Sequence, residues 1–249
     1  MKQETKAALK QDKFVTTTSH GLEWASENRK SVVVTTSLLF AVIVAVVLSV
    51  VIYNKRSDAA SAALGDAMQA YQTPLAQPGQ PVPPGIKTFP SAIERAKAAN
   101  AMFLSIADKY GMTPDGRVAR YFVGLTDIEA GQTQAAEDTL KQVSSGWNSD
   151  LSGLAKVALA QLYRNSGRNP QAIDIYNQLI AKPTTTVPAG LAKLQLAELY
   201  QSEGNTDKAK EIYAKLKDTD PKGVAGLTAA EKLNPPPAAA QRPAQPPPQ

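Results

Sequence analysis

His20 is the only histidine in the 249-residue chain, and cysteine is absent. Imidazole is the usual proton carrier near neutral pH, and thiolates are the usual ligands of structural zinc and iron–sulfur centres. His20 stands ahead of a long apolar run, so the main domain downstream can hold neither a histidine dyad nor a histidine-based metal site. The carboxylates that remain are scattered at helical spacing, including the neighbours Glu137 and Asp138, and read as solvated helix faces. No Gly-rich phosphate loop, GxSxG or HExxH pattern occurs. The expectation is a chain that is not an enzyme, takes no cofactor or metal, and has no small-molecule substrate.

Charge points the same way. The formal net charge is +5, yet residues 57–234 hold 18 Lys/Arg against 18 Asp/Glu. The excess lies before and just after the apolar run and at Arg242 in the tail. A neutral domain offers no phosphate-tracking face, so nucleic acid is not an expected partner. Function is left to surfaces, and the elements that carry those surfaces come next.

Residues 32–52, VVVTTSLLFAVIVAVVLSVVI, form a run of 21 residues without a charge. As a helix it would be about 31 Å long, which matches a bilayer core. Thr35, Thr36, Ser37 and Ser49 can return their hydroxyls to helix carbonyls. Ala60, Ser61 and Ala62 resemble a cleavage site, but Lys55 and Arg56 intervene and a 31-residue leader precedes the run, so an uncleaved anchor is predicted. Lys2, Lys6, Lys10, Lys13, Arg29 and Lys30 precede the span, against Lys55 and Arg56 after it. The basic side stays in. Residues 1–31 are therefore expected to be a cytoplasmic leader, with Leu22 and Trp24 near the headgroups or in a disordered leader. The bulk of the chain is expected across the membrane, which is the periplasm in a diderm bacterium.

Beyond the span the sequence repeats itself. Taking Tyr163 and Tyr200 as origins, Leu159/Leu196, Ala160/Ala197, Gly167/Gly204, Ala172/Ala209, Tyr176/Tyr213 and Leu179/Leu216 recur at equal offsets. Small residues let paired helices approach closely, and Leu and Tyr a turn away fill the space around them. The glycines end first helices, and Pro183 and Pro221 punctuate the second. An earlier copy matches at Val123, Gly124, Gly131, Ala136, Leu140 and Val143, with Asp127 in place of the aromatic. A further copy is split: Leu64, Gly65 and Met68 match the first helix and Ala99, Phe103 and Ile106 the second, around the Pro-rich stretch at residues 74–90.

The predicted fold class is thus all-α: one N-terminal transmembrane helix at residues 32–52, then a tetratricopeptide-like α-solenoid at residues 57–233. Its expected units are residues 57–110 with the insertion 74–90, 115–146, 151–183 and 187–221, with a capping helix at 224–233. The Pro/Ala-rich tail, 234–249, cannot build a core and is expected to be disordered or polyproline-like.

In stacked helix pairs the first helices line a groove. The repeat register places Val118, Tyr121 and Leu125, then Leu154, Val157 and Gln161, then Leu191, Leu194 and Glu198 in it or at its rim. An apolar groove suits a partner helix or an unfolded segment. The bland alternative is that part of this stripe is intramolecular core. Clamping of a terminal carboxylate needs paired Lys and Asn, which the stripe lacks.

The repeats resemble the tetratricopeptide repeat, with periods of 36 and 37 between the turn glycines against a usual 34. The whole layout, with a basic leader, one span, a first repeat helix starting at DAASAALGDAMQAYQ and three further units, resembles the YfgM-type ancillary subunit of the SecYEG translocon. That resemblance implies association with SecYEG and with a membrane-anchored periplasmic chaperone, and the handing of translocated chains to chaperones. The Pro-rich insertion, Asp127 and the Pro/Ala tail depart from it. The alternative is a repeat scaffold for another envelope assembly, in pilus, division or outer-membrane machinery.

Overall fold

The computed structural model describes residues 28–77, 79, 85 and 87–234, and the described residues are helical apart from turns and one isolated β-bridge. The leader residues Leu22 and Trp24 and the tail from residue 235 lie outside them. The chain divides into two units, residues 1–56 and 57–249.

The described part of the first unit is the start of α1, Arg29–Tyr71. Its most apolar window has a mean hydropathy of 2.7 and none of it is buried, so the helix is long and apolar enough to cross a membrane. Ser49 donates to the Ala45 carbonyl at 2.7 Å, so this hydroxyl needs no outside partner.

The second unit takes the end of α1 and then α2 (Ala92–Tyr110), α3 (Pro114–Glu129), α4 (Thr133–Ser144), α5 (Ser149–Asn165), α6 (Asn169–Ala181), α7 (Ala189–Ser202), α8 (Thr206–Thr219) and α9 (Val224–Leu233). Caps fix several of the starts. Ser91, Thr113 and Asn148 each accept a hydrogen bond from a backbone N–H three residues on, and Pro114 supplies a preset first helical residue. From α2 onward successive helices pack on one another in sequence order, and α5 also touches α3 while α9 also touches α7. This is an α-solenoid of paired helices, as the sequence period predicts.

Three first helices end alike. Gly131, Gly167 and Gly204 have φ of 77°, 72° and 79°, where an L side chain is strained. The following N–H groups of Gln132, Arg168 and Asn205 reach back to the carbonyls of Asp127, Tyr163 and Tyr200 at 2.8, 2.8 and 2.9 Å. The origin residues of the repeat are therefore the carbonyls that close each first helix.

Three apolar clusters form the core. Ala67 of α1 packs with Ala99, Phe103 and Ile106 of α2 and Val123 of α3, flanked by Leu64, Met68 and Phe122. Phe103 and Phe122 stack at 5.1 Å. The central cluster joins α4, α5, α6 and α7 around Leu140, Tyr163, Tyr176 and Leu199, and a third joins α7, α8 and α9 around Tyr213 and Leu216. Asp127, which replaces the aromatic, is buried and accepts from Asn100 Nδ2 at 2.7 Å, while the same amide donates to Thr126 Oγ1 at 2.9 Å. The ends of the Pro-rich insertion are tied by Ala76 N–H to the Phe89 carbonyl at 2.8 Å and Phe89 N–H to the Pro74 carbonyl at 3.1 Å.

Candidate protein-interaction site

The nine stripe residues stand on α3, α5 and α7, the first helices of successive pairs, at positions set by the turn glycines. Val118, Tyr121 and Leu125 on α3 are half-buried, as are Leu154 and Val157 on α5. Tyr121, Leu125, Leu154 and Val157 flank the central cluster, so each has one side on the core and one toward solvent. Gln161 is exposed, and Leu191 is 39% exposed.

The last pair differs. Leu194 is only 8% exposed and packs in the cluster that contains Ala209, Tyr213 and Ala229. Glu198 is half-buried, 3.7 Å from Lys232 Nζ of α9, and accepts from Gln195 at 3.4 Å. The chain itself thus covers the stripe at its C-terminal end: α9 lies where the first helix of a further pair would lie. Gly190 shows how close this packing is, because a Cβ there would come within 2.9 Å of the Ala225 Cβ.

The open part of the stripe is apolar, and its electrostatics are quiet. Glu198 is the one acidic residue among the nine, and burial pushes the Tyr121 phenol up. The chain's concentrated charge lies elsewhere, at Glu137 of α4, which is buried beside Arg168, Lys141 and Tyr163. That cluster is fully paired and joins the α3–α4 pair to the α5–α6 pair, so its chemistry is cohesion. Among the described residues no group of three or more His, Asp or Glu could hold a metal ion.

Sequence reasoning passed over one exposed group, Trp147 with Met112 and Arg117. Met112 and Trp147 sit in two turns 35 residues apart in sequence, Arg117 stands at the start of α3, and the only local signal was an aromatic residue in a Gly-flanked turn.

Tetratricopeptide-repeat family models match residues 157–186 and 191–223, spans that contain most of the α5–α6 pair and of the α7–α8 pair. Among solved structures, the chain is similar to the crystal structure of a candidate kinesin light chain from Podosopora anserina with nearly identical TPR-like repeats. The identity is 17% and the TM-score 0.47, over 56% of this chain and 76% of that one. No curated protein matches the sequence. Tetratricopeptide repeats mediate protein–protein interaction, and the chain is a scaffold of that kind.

Proposed function

We propose that this protein-interaction scaffold is anchored in a bacterial inner membrane by residues 32–52, with its N-terminus cytoplasmic and its repeats periplasmic. We further propose that it serves the SecYEG translocon as an accessory subunit, receiving translocated chains and passing them to a membrane-anchored periplasmic chaperone. The observation that carries the binding part is the half-buried apolar stripe of Val118, Tyr121, Leu125, Leu154 and Val157 on adjacent first helices. An unfolded segment or a partner helix laid along it would remove that apolar surface from water. The translocon assignment rests on the layout of basic leader, single span and repeats, and on the resemblance that layout carries. Leu191 and Gln161 extend the proposed surface at its rim, whereas Leu194 and Glu198 act through the α7–α9 packing.

Two measurements test this. Purification of the full chain in mild detergent is expected to recover SecYEG and the chaperone, and Tyr121→Glu or Val157→Glu is expected to lose them with little change in melting. Each carboxylate would be desolvated on binding, at about 2 kcal/mol or more, but stays wet in the free protein. Recovery of pilus, division or outer-membrane assembly components alone would favour the alternative scaffold. A reporter fused after Leu233 is expected to be active only outside the cytoplasm, and cytoplasmic activity would overturn the orientation and the translocon reading with it.

A further inference from the structure

Two loops meet on a part of the second unit that shares no residue with the stripe. The turn after α2 carries Met112, 82% exposed, and the turn after α4 carries Trp147, 78% exposed. Arg117 of α3 bridges them. Its guanidinium lies over the Trp147 ring, 4.7 Å from the centroid, and its Nη1 donates to the Met112 carbonyl at 3.0 Å. Beside this stack is a hollow of about 200 Å³, lined by Val143, Trp147 and Leu151 together with Arg117 and Arg120.

The walls are apolar and the charges are of one sign. Arg120 is held by Asp108 at 3.2 Å, by the Ala107 carbonyl at 3.1 Å and by Gln142 at 3.2 Å. Arg117 has no carboxylate partner among the described residues, and no carboxylate lines the hollow. An indole left largely in water adds little to folding beyond its stack with Arg117, whereas Trp, Met and Arg are the residues enriched where proteins bind one another. A guanidinium stacked on a ring also keeps its N–H edge free for a planar carboxylate.

We propose that this hollow is a second docking site for an extended acidic segment of another protein. One bulky apolar side chain enters between Trp147, Val143 and Leu151, and a neighbouring carboxylate pairs with Arg117. The order of the two is set by the stack, because the guanidinium and the indole are already held together. The site stands independently of the stripe, since none of its residues is among those nine.

The test uses the full chain in detergent micelles with Trp24→Phe, so that emission reports Trp147 alone. The probes are capped hexapeptides covering every arrangement of two acidic and two bulky apolar residues between glycines. Counterparts carry Lys for the acids or Ser for the apolar residues. At least one acidic–apolar arrangement is expected to shift the emission and to bind about tenfold tighter than both of its counterparts. Arg117→Glu is expected to transfer the preference to the Lys peptide, and Trp147→Ser, followed by anisotropy of a labelled peptide, to weaken binding by about the same factor. Val157→Glu should leave it unchanged. The proposal is overturned if no arrangement shifts the emission, if the Lys counterparts bind equally well, if Val157→Glu removes binding, or if Trp147→Ser with wild-type helicity binds as before.

Discussion

The Tyr163 hydroxyl donates a hydrogen bond to Glu137 Oε1 at 3.0 Å, which joins α5 to the second helix of the preceding pair. Arg168 Nη2 lies 2.7 Å from the other carboxylate oxygen, Lys141 Nζ lies 2.6 Å from Oε1, and the Arg168 guanidinium sits over the Tyr163 ring at 4.4 Å. The hydrogen bonds from Arg168 and then Lys141 outweigh desolvation and hold the Glu137 carboxyl at about 2, below its ordinary 4.5. The folded value lies below the unfolded one, so this stabilisation is complete above about pH 5 and is lost as pH falls toward 2. Glu137→Gln is expected to lower stability by about 1–3 kcal/mol at pH 7, and thermal melts at a series of pH values should show the difference shrinking toward pH 2.

Asp127 should behave in the opposite sense. Burial pushes its carboxyl up, against the hydrogen bond from Asn100 that favours the ion. A raised folded value means that the acid's contribution is present at low pH and is lost as pH rises through it. Asp127→Asn is therefore expected to be neutral or stabilising by about 1 kcal/mol at pH 7, with the gain fading near pH 4. A gain that grows on acidification would contradict this account of the site.

Ala172 and Ala209 sit at the same place in successive pairs, 0% and 2% exposed, where second helices cross first ones. Leucine at either position has no room and should cost about 1–3 kcal/mol. Urea titrations of the two variants check it, and wild-type midpoints for both would mean that the helices do not cross there.

Glycine to alanine should have opposite signs at two positions. Gly167 has φ of 72°, so Gly167→Ala forces a side chain into the left-handed region and should cost about 1–2 kcal/mol. Gly65 lies within α1 with nothing near an added Cβ. Gly65→Ala should instead stabilise by about 0.5–1 kcal/mol, because it removes backbone freedom from the unfolded chain. Equilibrium unfolding of the pair reads both signs.

Local spacing carried most of the fold. An apolar run of 21 residues is, as a helix, long enough to cross a bilayer. The recurrence of Ala160 and Ala197, Tyr176 and Tyr213, and the turn glycines encodes which side of each helix meets its partner, because a helix presents residues three and four apart on one face. Those relationships span fewer than 40 residues and repeat, so the sequence alone determines the helix pairs and their order.

Tertiary structure decided what lies over the flank of each helix, since periodicity says which residues face away from the partner but not what else covers them. Leu194 and Glu198 fall in register with Tyr121 or Val157 and with Gln161, yet α9 covers them while the earlier positions keep a face toward solvent. Asp127 looked like a broken repeat until Asn100, brought in from α2, supplied its hydrogen bond. Arg117, at the start of α3, meets Trp147, just past the end of α4, because those two helices pack on each other, and the repeat period gives that pairing without naming the side chains it joins. In the first two cases the deciding contact comes from a different helix pair, and stacking geometry between pairs is a property of the assembled core, with no spacing in the chain that records it.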